Sequence, residues 1–281
     1  RESKIVEGES GGITQMIGAT EIPLDTVEDV CGDLLQQLDT TLTIPGLLFI
    51  DTPGHAAFSS LRKRGGSISD IAILVIDIEE GVQPQTEEAI KILSESSTPF
   101  IIALNKVDKL PGWKSQEQCF SKNVQFQSDK NVKALDDRIY ELMADLNEYG
   151  FVIDRFDRVD NFTEKIGVVP ISAMTGEGLP ELLMTVAGLA QNYLEDDLEV
   201  EEGDGKATVL EVSEQKGFGT TVDVIHYDGT IHEDDKIVYG TPEGVKVTDT
   251  RALLKPRPLK ESRLDKQYQK VGKVEPASGV K

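Results

Sequence analysis

Phe100-Ile-Ile-Ala-Leu-Asn-Lys-Val-Asp108 is the stretch whose reading decides the fold. Five apolar residues run without a break and stop at a polar turn. Such a run suits a strand buried on both faces of a parallel sheet. Three more runs have the same form: Leu47-Leu-Phe-Ile-Asp51, Ile71-Ala-Ile-Leu-Val-Ile-Asp77 and Val168-Val-Pro-Ile171. Helical patterns lie between them. Residues 56–64 follow the first run, and residues 84–95 follow the second, with Pro84 suited to a first helical turn. Residues 132–149 place Val132, Leu135, Ile139, Leu142, Leu146 and Tyr149 on one face, and Gly150 follows as a stop. Residues 179–194 repeat the pattern with Leu179, Leu182, Leu183, Val186, Leu189, Ala190 and Tyr193. Strand and helix in alternation predict a doubly wound, mostly parallel α/β domain over residues 1–194.

Residues 195–205 read as an acidic linker, with seven acids and no base from Glu195 to Asp204. Beyond it the character changes. Residues 207–213 and 220–226 are rich in Val and Thr, and Tyr227-Asp228-Gly229 carries an Asp-Gly hairpin signal. Short strands continue at 236–239 and 245–250, so residues 206–281 predict a small β-barrel.

The 281 residues carry 29 bases and 50 acids, a net charge of −21. That charge excludes nucleic-acid binding through the overall field, so any RNA contact needs a local patch. The one sizeable basic segment runs from Arg251 to Lys273, with eight bases and two acids. A plain solvated surface explains it as well as a phosphate-contacting one does. No run is long and apolar enough for a membrane span, and no secretory signal is visible. Cys31 and Cys119 lack metal-ligand spacing and read as reduced thiols of a cytoplasmic protein.

The chemistry gathers where strands end. Asp51-Thr52-Pro53-Gly54-His55 lies at the carboxyl end of a predicted buried strand, where open α/β sheets bind ligands. An acid there can reach hydrated Mg²⁺, and Gly54 lets a backbone N–H approach a phosphate oxygen. Asn105-Lys106-Val107-Asp108 follows another such strand. The Asp108 carboxylate can accept from the N1–H and exocyclic amine of guanine, a donor pair that adenine lacks. The Asn105 amide can bond the purine edge, and the Lys106 stem can lie along the base. Ser172-Ala173-Met174-Thr175-Gly176 ends the last strand, and a small residue there lets an N–H meet guanine O6. Gly11-Gly12-Ile13-Thr14 offers a hydroxyl in a Gly-rich loop that can order around a γ-phosphate and Mg²⁺. His55 can hold an attacking water, the role a Gln plays in Ras-type GTPases. His226 and His232 fall in the barrel and read as structural or exposed.

In this order and spacing the motifs resemble those of translational GTPases. Gly11-Gly-Ile-Thr-Gln-Met-Ile-Gly-Ala-Thr20, Leu61-Arg-Lys-Arg-Gly-Gly66, Gly112-Trp113 and Leu253-Leu-Lys-Pro-Arg-Pro-Leu259 narrow the resemblance to the initiation factor five-B family, with the archaeal form closer than the eukaryotic. The long insertion between Asp108 and Ser172 fits that family too. The resemblance implies a GTPase that acts in the cytoplasm, promotes ribosomal subunit joining with initiator tRNA placed, and hydrolyses GTP on the ribosome. It implies that Thr14 binds Mg²⁺ and senses the γ-phosphate, and that Asp51 binds Mg²⁺ through water. Gly54 would donate to the γ-phosphate and His55 would position the catalytic water. Asn105, Lys106 and Asp108, aided by Ser172 and Ala173, would read the guanine of GTP or GDP. The barrel and the basic segment would face the ribosome, and initiator tRNA would be met by domains beyond Lys281.

The family's phosphate loop, Gly-x-x-x-x-Gly-Lys-[Ser/Thr], is not among these residues, nor is the first strand that leads into it. The resemblance places both before Arg1. The expectation is therefore an internal fragment of a longer factor, with an incomplete barrel, that binds GTP poorly by itself. Two alternatives stand beside this reading. One is another translational GTPase, such as an elongation factor. The other is a non-hydrolysing ribosome-binding scaffold with a degenerate nucleotide domain.

Overall fold

The computed structural model describes residues 18–37, 42–51, 69–193, 203–215, 219–256, 268–276 and 278–281. Two compact units emerge. One holds Pro23–Gly46 and Ser69–Asp197, and the other holds Glu2–Ile22, Leu47–Ile68 and Leu198–Lys281.

In chain order the elements up to Tyr193 are β1 (Gly18–Pro23), α1 (Leu24–Cys31), β2 (Gly46–Asp51), β3 (Ala72–Asp77), α2 (Pro84–Glu95), β4 (Phe100–Asn105), α3 (Phe120–Asn123), α4 (Asp129–Asn147), β5 (Ile153–Arg155), β6 (Ile166–Pro170) and α5 (Leu179–Tyr193). The first unit is built on a four-stranded sheet of order β3-β4-β6-β5, and every pairing in it is parallel. β4 lies inside the sheet, and Ile101, Ile102 and Ala103 are wholly buried. A strand flanked on both sides and covered on both faces needs an unbroken apolar sequence, and that is what residues 100–104 supply.

The helices follow from local chemistry. Pro84 opens α2, and Gln83 and Thr86 cap each other across its first turn. Ser128 caps α4 by accepting from the Asn131 N–H at 3.3 Å. Leu135, Ile139, Leu142 and Leu146 form its buried stripe. The chain leaves α4 through Gly150 at φ 84°, a conformation that costs a glycine little. Cys31 and Cys119 are both free thiols. Burial, with Glu181 nearby, pushes the Cys31 thiol up to about 11.

One expectation is corrected. Residues 47–51 form a strand, but β2 hydrogen-bonds to β1 in a sheet of two and is not a strand of the four-stranded sheet. Its residues from Gly46 to Ile50 are half-buried throughout, unlike those of β4. A run of apolar residues specifies an extended, partly covered segment. It does not specify which neighbour takes up its ladder. The helical expectation at 56–64 lies outside the described residues.

The second unit is antiparallel. Beyond Leu198 its strands are β7 (Lys206–Gln215), β8 (Gly219–Asp228), β9 (Ile231–His232), β10 (Lys236–Thr241), β11 (Gly244–Asp249), β12 (Leu253–Pro256), β13 (Tyr268–Val271), β14 (Lys273–Val274) and β15 (Ser278–Val280). They pair as β15-β8-β7, β10-β11, β12-β13 and β14-β9, the sheets of a small β-barrel. Leu253, Val274 and Val280 form a core with Val224, Ile231 and Val271 packed on it. The Asp228-Gly229 signal is also corrected. It does not join paired strands, because β8 lies between β7 and β15 while β9 pairs with β14. Gly229 instead takes φ 66° where a Cβ would stand 2.3 Å from the Asp204 carbonyl oxygen. The glycine is needed for that close approach.

Candidate functional site

The site grows from the carboxyl ends of β4 and β6, which lie side by side. Leaving β4, the chain must turn sharply, and Lys106 takes a left-handed conformation at φ 71°, ψ 32°. For a residue with a Cβ this costs on the order of 1–2 kcal/mol. Two hydrogen bonds hold the turn. The Lys106 N–H donates to Asn105 Oδ1 at 2.8 Å, and the Val107 N–H donates to the Ile171 carbonyl at 3.1 Å. The second bond ties the turn to the end of β6. A third tie is made by the Ala173 N–H, which donates to the same Asn105 Oδ1 at 3.0 Å.

Asn105, Lys106, Asp108, Ser172 and Ala173 are thus brought to one edge of one sheet. Val107 is wholly buried and anchors the turn. Asp108 follows it, and its Oδ1 is buried with no hydrogen-bond partner. An orphaned carboxylate oxygen carries a desolvation cost that a ligand with N–H donors would remove. Ser172 is fully buried. Its hydroxyl accepts from the Thr175 N–H at 3.2 Å, and its carbonyl accepts from the Gly176 N–H at 2.9 Å. These bonds round the loop and leave Ala173 exposed beside Asn105.

Lys106 reaches sideways to Asp77 at the end of β3 and pairs with its carboxylate. Partial burial would raise the Asp77 carboxyl. The Lys106 ammonium and the Glu79 N–H, 2.9 Å away, outweigh that and hold it below the usual carboxylate value. The same contact raises the Lys106 ammonium. Asp77 was not expected in the site. Its signal was the apolar run 71–77 ending in an acid, the same form as 47–51. Glu177 gave no signal, because a glutamate between two glycines reads as solvated. It is wholly buried, and its carboxylate accepts from Trp113, Ser115 and Asn123.

Asp51 ends β2, which belongs to the other small sheet and not to the sheet that carries Asp108. Thr14, Gly54 and His55 lie outside the described residues. Among the described residues no group of His, Cys, Asp and Glu is arranged to hold a metal, and no helix is long and apolar enough to cross a membrane.

Comparison with known proteins gives the family. Residues 3–192 match the family model described as the elongation factor Tu GTP binding domain. Over its whole length the chain is 56% identical to a protein of Methanopyrus kandleri named "Probable translation initiation factor IF-2", of which it covers 48%. A protein of the same name from Archaeoglobus fulgidus is 50% identical, with 47% of it covered. The chain spans about half the length of these relatives. Among solved structures, GDP-bound aIF5B from Aeropyrum pernix is similar at a TM-score of 0.88 and 48% identity, over 97% of this chain and 46% of that one. The bacterial selenocysteine-specific elongation factor EF-Sec, at 20% identity and a TM-score of 0.56, shares the fold.

Proposed function

The chain belongs to the elongation factor Tu GTP-binding domain family, and from that premise we propose that its parent protein is a translation initiation factor that binds GTP and hydrolyses it on the ribosome. The observation that carries the reading is the buried, unpartnered Oδ1 of Asp108, set beside Asn105 and Ala173. Guanine presents N1–H and an exocyclic amine to such a carboxylate. Adenine has no donor at N1 and would leave the oxygen unsatisfied, so GTP is preferred to ATP. The Ala173 N–H is the donor assigned to guanine O6, and it exchanges the Asn105 Oδ1 acceptor for that oxygen when the base binds. The stem of Lys106 lies along the base, and its ammonium stays fixed by Asp77.

The phosphate end is assigned by residue type. Thr14, and Asp51 through water, are oxygen donors of the hard kind that Mg²⁺ takes. When bound, the ion neutralises charge on the phosphates. Gly54 donates its N–H to the γ-phosphate, and His55 holds the attacking water. Residues 1–194 form the nucleotide domain, 195–205 link it onward, and the barrel at 206–281 meets the ribosome, with the basic segment 251–273 turned toward rRNA. Subunit joining with initiator tRNA in place is the step served, in the cytoplasm.

The test uses the full-length protein. GTP should displace a fluorescent guanine nucleotide where ATP does not. His55→Ala should lower ribosome-stimulated hydrolysis by about 10²-fold or more while leaving nucleotide affinity nearly unchanged. An unaltered rate would take His55 out of the reaction. Binding of GTP with no ribosome-stimulated hydrolysis in the native protein would favour a scaffold over an enzyme.

A further inference from the structure

We propose that Glu177 is a positioning residue for guanine recognition, clasping the segment from Trp113 to Asn123 against the loop that presents Ser172 and Ala173. The proposal rests on the nucleotide reading above. It begins from an oddity. Glu177 is wholly buried, yet its carboxylate is met only by neutral donors among the described residues. The Trp113 indole N–H lies 3.2 and 3.1 Å from its two oxygens, the Ser115 hydroxyl 2.5 Å from Oε2, and the Asn123 amide 2.6 Å from Oε1. A methionine would fill the space but would leave the Trp113, Ser115 and Asn123 donors without an acceptor. What a carboxylate adds is direction. It fixes three separate points of one segment relative to a single backbone position, and buried polar groups specify register in this way.

That backbone position closes the guanine loop. The Ser172 N–H donates to the Glu177 carbonyl at 2.9 Å, so residues 172–177 form a ring of which Glu177 is the clasp. On the far side of the ring the Ala173 N–H meets Asn105. The same segment grips the loop at two further points. The Gly178 N–H donates to the Gln118 carbonyl at 2.7 Å, and Glu181, one helical turn on, accepts from the Ser121 N–H at 2.9 Å and the Cys119 thiol at 3.0 Å. The loop has little room to shift as a body, because a Cβ at Gly178 would stand 2.1 Å from the Pro170 carbonyl oxygen. The insertion after Asp108 therefore braces the base-reading loop, and the brace runs through one carboxylate.

The experiment measures GDP affinity by calorimetry in the full-length protein, with ADP as control, alongside single-turnover hydrolysis of bound GTP. In Glu177→Gln the amide turns an N–H₂ toward donors. GDP binding should weaken about 10-fold, the scale of an indirect coupling, while the hydrolysis rate of bound GTP stays nearly constant. Adding Asn123→Asp supplies an acceptor for the new amide and should restore most of the affinity. Ser115→Ala removes one donor at a half-buried position and should weaken GDP about 3-fold with little change in melting temperature. Should Glu177→Gln fail to fold, Ser115→Ala decides: unchanged GDP affinity in it overturns the proposal. So does unchanged affinity in a folded Glu177→Gln protein. If the native protein does not prefer GDP to ADP, the nucleotide reading falls and this proposal with it. If it does prefer GDP and the variants bind equally well, the proposal alone falls.

Discussion

β4 and β2 are near twins in sequence and opposites in setting. Phe100-Ile-Ile-Ala-Leu104 lies between two parallel neighbours and is buried along its length, whereas Leu47-Leu-Phe-Ile50 has one neighbour among the described residues and is half-buried. Each run ends in a polar residue assigned to nucleotide. At the end of β4 the turn is held by three hydrogen bonds, one of which reaches across to Ala173, and a carboxylate oxygen is left waiting. At the end of β2 the chain carries Asp51 on a sheet of only two strands. Under the proposed function, base reading therefore rests on a strand built into a core, while Thr14, Gly54 and His55 of the phosphate end lie outside the described residues. A strand covered on both faces fixes the turn at its end more firmly than a half-buried one does.

This contrast can be broken by measurement. The largest effect should come from the core strand. Ile102→Ala should destabilise the protein by about 2–5 kcal/mol, and Leu48→Ala in half-buried β2 by about 1 kcal/mol, read as shifts in urea midpoint. Equal losses would show that the two strands are equally built in.

The smallest effect should come from Asp77→Asn. The folded Asp77 carboxyl sits below its unfolded value because Lys106 and the Glu79 N–H outweigh its partial burial. Its contribution is therefore fully present above the unfolded value of about 3.9 and is lost as pH falls through the folded value. The gap in urea midpoint between the native and Asp77→Asn proteins should be full at pH 7 and narrow steadily as pH falls below the unfolded value. A gap that does not change with pH would show that the Lys106 contact acts through something other than charge.

Period and burial made much of this legible in the sequence. The stripe Leu135, Ile139, Leu142 and Leu146 repeats at helical spacing, and those residues are the buried face of α4. Asn105, Lys106, Asp108, Ser172 and Ala173 were findable because they stand at the ends of unbroken apolar runs, where the fold must place its loops. Partners were not legible. Nothing in Leu47–Asp51 says that, among the described residues, it pairs with β1, since strand pairing is decided by what else competes for each edge. Asp228-Gly229 has the form of a hairpin turn, yet its glycine serves a close backbone approach. Glu177 escaped notice because a buried carboxylate is legible only once its donors, 54 to 64 residues away in sequence, are seen around it.

Asp108→Asn in the full-length protein tests the central claim most directly, by competition between guanosine and xanthosine diphosphates. The amide replaces an acceptor with a donor and matches the oxygen that xanthine carries where guanine has its amine. GDP affinity should fall by on the order of 10⁴, with xanthosine diphosphate bound in its place. A variant that keeps the native preference for guanine would contradict the account, because the base would then be read by something other than the waiting oxygen at the end of β4.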